Sequence, residues 1–142
     1  MKRSFLGRLA LRIVLGGALL LAGLLKVSDP AALAAAIATF QILPAALISV
    51  TALSLPFLEI LLGGMLLAGW CPRCAAFSAM ILLGIYTGSL TAGLARNLPL
   101  ECDCFGASTS VPLALLRDGL LLAIAVVLYG WEIVQTKSAG HA

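Results

Sequence analysis

The residues of this chain best suited to chemistry are its four cysteines, which fall in two close pairs. Cys102 and Cys104 are one residue apart, in the run Cys102-Asp103-Cys104-Phe105-Gly106. A disulfide across so short a spacing closes a very small ring, and strain makes such a bond a stronger oxidant. Gly106 permits a sharp turn directly after the pair, and Phe105 can anchor it at a membrane interface. An exposed pair of this kind can donate oxidising equivalents to another protein. Two other readings compete: a site for Cu(I) or Hg(II), which favour closely spaced thiolates, and a bond that only locks a loop. Glu101 and Asp103 work against the thiolate form.

The second pair is Cys71-Pro72-Arg73-Cys74. Cys-x-x-Cys is a common dithiol spacing. At the start of a helix, the positive end of the dipole favours the thiolate of the first cysteine, and Arg73 adds to that. Zinc sites share the spacing, but they need four ligands and only two are present on this face. Two small apolar side chains packed in a turn would satisfy the same sequence. No bound metal is expected, and His141, the sole histidine, sits in the last two residues.

The elements that hold these cysteines must lie in lipid. The chain has 142 residues, 62% of them hydrophobic and 11% charged. Its mean hydropathy is +1.13. A soluble domain carries about 25% charged residues, so too little polar surface is available here to solvate a globule. The net charge of +3 is small. It suits membrane orientation and excludes a nucleic-acid surface.

The expected architecture is an all-α integral membrane protein in one domain, residues 1–142. It is a four-transmembrane-helix bundle with a short interfacial helix between the first and second spans. The spans fall at about 9–26, 45–70, 75–95 and 113–131, each near the roughly 20 residues a bilayer needs. The Cys-x-Cys loop occupies 96–112. A cleaved signal peptide competes with the first span, since Lys2, Arg3 and Arg8 precede an apolar run. Three further spans, and the even bundle that results, favour the helix. Asp29-Pro30 supplies an N-cap and a first-turn proline for the interfacial helix. Pro56 is expected to kink the second span. Gly84 and Gly88 are expected to pack inside the bundle. The tail from Glu132 is polar and expected to fray.

Charge orients the bundle. With four spans, Lys2, Arg3, Arg8, Arg12, Arg73 and Lys137 share one side, and Lys26, Arg96 and Arg117 lie on the other. The positive-inside rule puts both termini in the cytoplasm of a bacterial inner membrane. Cys102 and Cys104 then face the oxidising side, where disulfides persist. Cys71 and Cys74 fall on the opposite face, across about 30 Å of hydrocarbon. Glu59 lies near the middle of its span, where a carboxylate is costly. It reads either as a proton relay or quinone contact, or as a structural hydrogen bond to a hydroxyl on another helix.

Several stretches together resemble the MauE/DoxX-like membrane proteins. They are Leu21-Ala22-Gly23-Leu24-Leu25-Lys26 with Asp29-Pro30, Gln41-Ile42-Leu43-Pro44, Leu55-Pro56-Phe57-Leu58-Glu59 with Leu62-Gly63, the Cys102–Gly106 run and Leu116-Arg117-Asp118. The resemblance spans roughly residues 15–128. It implies a redox-associated four-helix membrane bundle in which Cys102 and Cys104 match the family pair, and Glu59 and Lys26 its polar helix positions. Within that resemblance, MauE is linked to maturation of methylamine dehydrogenase, a disulfide-rich periplasmic enzyme. DoxD-type relatives are linked to thiosulfate oxidation with quinone. The architecture is also similar to the quinone-coupled disulfide-forming proteins of the DsbB and vitamin K epoxide reductase type, although there both cysteine pairs face one side. Cys71-Pro72-Arg73-Cys74 has no place in the family pattern.

The expected function is that of a membrane thiol–disulfide oxidoreductase. Cys102 and Cys104 exchange with a thioredoxin-like or periplasmic disulfide-containing protein, and electrons pass to a membrane quinone. Cys71 and Cys74 are a second candidate pair. Glu59, Lys26 and Arg117 are the candidates for handling protons or contacting the quinone headgroup. The alternatives are a soft-metal transporter using both cysteine pairs, and a non-catalytic assembly factor for a periplasmic redox enzyme.

Overall fold

A computed structural model describes residues 2–96 and 110–139, with side chains placed for 5–96, 110 and 112–135. Five helices follow one another: α1 (Lys2–Ser28), α2 (Pro30–Thr39), α3 (Ala45–Ala68), α4 (Pro72–Ala95) and α5 (Val111–Ala139). Four of them contain 24-residue stretches long and apolar enough to cross a membrane: Phe5–Ser28, Ala45–Ala68, Pro72–Ala95 and Pro112–Gln135. At 1.5 Å per residue each covers about 36 Å, more than the hydrocarbon core. The short helix α2 lies between the first two spans, as the sequence implies. Asp29 Oδ1 accepts from the Ala32 amide at 2.9 Å, and Pro30 opens the first turn.

The bundle is largely apolar inside as well as outside, with a few charged side chains buried in it. Leu53, Phe57, Leu61, Leu116 and Leu120 are exposed, whereas Lys26, Glu59, Asp118 and Glu132 are buried. Lipid is as apolar as leucine, so leucines face outward there as readily as others pack inward at Leu15, Leu66 and Leu128. The buried positions of α5 are Ala114, Asp118, Leu121, Ala125, Leu128 and Glu132. They step by four and three alternately, the register of helices packed in a shallow left-handed bundle. Hydroxyls on the helices are satisfied locally: Thr51, Ser54 and Thr87 each donate to the carbonyl four residues back. That removes the cost of an unpaired hydroxyl in lipid.

α1 packs mainly on α3, and α4 on α5. Both pairs run antiparallel. Arg12 meets Leu66 and Lys26 meets Glu59, while Phe77 meets Tyr129 and Leu90 clusters with Ala114. The α1–α3 contact needs glycine. A Cβ on Gly63 would lie 2.7 Å from the Gly16 carbonyl oxygen, and one on Gly23 would lie 2.8 Å from that of Pro56. These helices therefore touch backbone to backbone, and Pro56 is fully buried in the seam. α3 remains helical through Pro56, which cannot donate to the Ala52 carbonyl.

Three details depart from the sequence reading. Gly84 and Gly88 do not pack inside the bundle, since a Cβ at either meets nothing within 4 Å. The close approach is made by α1 and α3, whose glycines sit on the buried face, whereas Gly84 and Gly88 lie off the buried face of α4. Residues 132–139 are helical rather than frayed. Glu132 is buried and faces Arg8, with Nη1 and Oε1 3.9 Å apart, so opposite charge holds the last turns against α1. α1 begins at Lys2, about two turns earlier than the expected span.

Substituting leucine for Gly63 should destabilise the bundle by about 1–3 kcal/mol or more through overpacking. Leucine at Gly88 should change stability by less than about 0.5 kcal/mol. Thermal unfolding of both variants in the same detergent checks the contrast. Equal losses would place the close contact elsewhere.

Candidate functional site

Four helices bring Lys26, Glu59, Tyr86, Arg117 and Asp118 to one level. Lys26, two residues before the end of α1, is only 5% exposed, and Glu59 of α3 is fully buried. Lys26 Nζ donates to Glu59 Oε1 at 2.5 Å. The Tyr86 hydroxyl, from α4, donates to the same oxygen. Lys26 Nζ also lies 3.4 Å from the Tyr86 oxygen and 4.7 Å from the centre of its ring. Each partner thus comes from a different helix, and Glu59 is held by a charge and a hydroxyl at once.

Across the bundle, α5 contributes Arg117 and Asp118. Arg117 Nε donates to Asp118 Oδ1 at 3.0 Å, and the aspartate is 3% exposed. Lys26, Glu59, Tyr86, Arg117 and Asp118 border a common space of about 10 Å³, roughly one water-sized sphere. Glu59 Oε2 and Asp118 Oδ2 are both buried and have no hydrogen-bond partner among the described residues. Two cations balance two carboxylates. In lipid that balance is what makes the set tolerable, because an isolated buried charge costs several kcal/mol.

A larger cavity of about 510 Å³ lies beside this cluster, between α2 and the facing parts of α1, α3 and α4. Lys26 and Tyr86 line it, together with Asp29, Leu33, Leu55 and Ser89. These two side chains also border the small inner space. They are the wall between the cavity and the buried carboxylates.

The cysteines occupy the ends. α3 closes at Ala68 with Gly69 in the left-handed region, φ 75°, against Arg12. The Arg12 Nε and Nη2 donate to the Leu66 carbonyl at 3.1 and 3.0 Å, satisfying one of the open carbonyls at a helix end. Cys71, also left-handed at φ 45°, precedes Pro72 at the start of α4. Cys71 and Cys74 are disulfide-bonded, with Cα atoms 5.4 Å apart, and both are exposed. Cys102 and Cys104 lie outside the described residues. The helices that flank them, the end of α4 and the start of α5, meet at the opposite end of the bundle from Cys71. From Tyr86 to the end of α4 is about 14 Å, and from Asp118 to the start of α5 about 10 Å. The polar cluster therefore sits nearer the end of the bundle where α4 ends and α5 begins than the end that holds Cys71.

Of the residues singled out in the sequence, Lys26 and Glu59 meet directly. Arg117 borders the same space through Asp118. Cys71 and Cys74 meet each other, far from this cluster. Tyr86 received no role from the sequence and Asp118 only a place in a motif. The signal for Asp118 was present: stepping by three and four from Ala114 through Leu121 and Leu128 passes through it. Nothing comparable marks Tyr86, whose hydroxyl is distinguished only by what it touches.

Replacing Lys26 by methionine should cost about 3–5 kcal/mol, because it leaves Glu59 buried without its counter-charge. Adding Glu59→Gln should recover most of that loss. Thermal unfolding of the single and double variants tests it, and an additive result would mean that the two are not energetically paired.

The model of one protein family, described as methylamine utilisation protein MauE, matches residues 5–130. The chain belongs to that family, and with its four apolar spans it is a multi-pass membrane protein. No curated protein and no solved structure matches it.

Proposed function

We propose that this member of the MauE family is a membrane thiol–disulfide oxidoreductase that works through Cys102 and Cys104 and passes electrons to a membrane quinone. The observation that carries the reading is the buried Lys26–Glu59–Tyr86 cluster beside an apolar cavity, in the half of the bundle where α4 and α5 lead to and from the Cys-x-Cys segment. Membrane interiors exclude such groups unless they have a task or a partner. A cavity with a proton-bearing wall, in a chain that carries a Cys-x-Cys pair, suits two-electron chemistry between thiols and a lipid-soluble acceptor.

A thiolate of the partner protein attacks one sulfur of the Cys102–Cys104 disulfide and forms a mixed disulfide. The second partner thiol resolves it, leaving the partner oxidised and Cys102 and Cys104 reduced. The two thiols then give two electrons and two protons to the quinone, which becomes quinol, and the disulfide returns. Lys26, Tyr86 and Glu59 are the residues able to hold or move a proton near the acceptor, with Arg117 and Asp118 behind them. The partner is a thioredoxin-like or periplasmic disulfide-containing protein. The family's link to methylamine utilisation fits a substrate that must acquire disulfides outside the cytoplasm. Charge bias places both termini in the cytoplasm of the inner membrane.

The test is turnover in proteoliposomes containing ubiquinone and a reduced thioredoxin-fold protein, read by quinone absorbance and by alkylation of the partner's thiols. Wild-type protein should oxidise the partner and reduce quinone in equal amounts. Cys104→Ser should fall to background, because it leaves no disulfide for the partner's thiolate to attack, whereas Cys71→Ser/Cys74→Ser should keep activity. A Cys104→Ser chain that turns over at the wild-type rate would leave an assembly role as the better reading.

A further inference from the structure

We propose that the cavity beneath α2 is the headgroup site of an isoprenoid quinone, with the Lys26 ammonium donating to one of its carbonyls. This rests on the quinone-linked reading above and gives the acceptor a place and a set of contacts.

The cavity is large enough: about 510 Å³ lies within the range of small-ligand sites, roughly 300–1,000 Å³. It is mostly apolar, with a few polar groups concentrated at its inner wall. Lys26 is the best placed of these. Its side chain is nearly buried, so its charge is not spent on water. An ammonium has three N–H donors. One serves Glu59, and a second points at the Tyr86 oxygen. The remaining donor suits a carbonyl in the cavity that Lys26 lines.

Charge decides what kind of headgroup fits. Lys26 is matched by Glu59, and Asp29 adds a carboxylate at the cavity wall while it caps α2. These three side chains sum to a negative charge. A phosphate would enter against that field, whereas a neutral carbonyl acceptor would not. The cavity also reaches lipid sideways. Leu25, Ile42 and Ile85 line it and are 38%, 53% and 58% exposed. An apolar tail could leave between them into the bilayer, while α2 covers the headgroup. The Tyr86 ring, with its hydroxyl on Glu59, separates this site from the buried carboxylates.

The experiment is photolabelling of the full chain in phospholipid nanodiscs with a short-tailed azido-ubiquinone, mapped by peptide mass spectrometry. The label should fall within residues 32–43 or 85–90, and excess unlabelled ubiquinone should remove it. Ala36→Phe fills the cavity and should abolish the label. Lys26→Met/Glu59→Gln removes both charges together and should weaken binding by roughly three- to tenfold, the worth of one hydrogen bond. Thermal unfolding shows whether each variant is folded. Labelling elsewhere, or labelling of these segments that survives Ala36→Phe and the double substitution, overturns the site. So does a label that anionic phospholipid displaces and quinone does not, since the cavity would then belong to a lipid. Single-turnover exchange between a reduced partner and the Cys102–Cys104 pair needs no quinone. Its loss with labelling intact would topple the oxidoreductase reading and leave the site standing; the reverse result would do the opposite.

Discussion

The structure depends on the pairing of Lys26 with Glu59. Both side chains lie deep among apolar helices, where neither could keep its charge alone. Lys26 sits near the end of α1 and Glu59 well inside α3, so their contact sets how far one helix is drawn along the other. Tyr86 extends the arrangement to α4. Arg117 and Asp118 close it from α5, with their own opposite charges side by side. Few other interactions inside the bundle have this directionality. Leucine and alanine can slide by a turn at little cost, but a salt bridge at 2.5 Å cannot.

The glycines of α1 and α3 make that pairing possible. Without Gly16, Gly23 and Gly63 the two backbones would stand further apart, and the lysine stem would have to span the difference. The same closeness excludes lipid from the seam. On the far side of the cluster the packing loosens into the cavity under α2, whose small alanines do not fill the space. Tight packing on one side of Lys26 and open volume on the other place its ammonium at a boundary between protein interior and a chamber open to the bilayer. At the opposite end, Arg12 and Arg8 hold helix ends together through a carbonyl and a carboxylate.

Much of this was legible from residue order. Hydropathy located the spans, because lipid demands long apolar helices. Asp29-Pro30 announced α2, because a capping carboxylate followed by proline has few other uses. Lys26 and Glu59 stood out because charge is rare at that depth. What could not be read was which of them met. The apolar faces carry almost no asymmetry in a lipid-bathed helix, so the inward side is not marked by hydrophobicity. That is why Gly84 and Gly88 suggested a contact that α4 does not make, and why Tyr86 went unnoticed. Glu132 looked like part of a polar tail, yet its register from Leu121 and Leu128 carried it inward to Arg8. The Cys102–Cys104 segment, the most informative stretch of the sequence, lies outside the described residues.

The Lys26–Glu59 bridge also bears on how the chain enters the membrane. Its two charges are 33 residues apart, on spans separated by α2 and delivered one after the other. Until α3 arrives, the lysine near the end of α1 has no carboxylate to meet and can only reach for the headgroup layer. The second span brings in a carboxylate that needs that lysine at once. The charge balance of this pair is therefore complete only when both α1 and α3 are in the membrane. The short helix between them is the strap of chain that joins the couple.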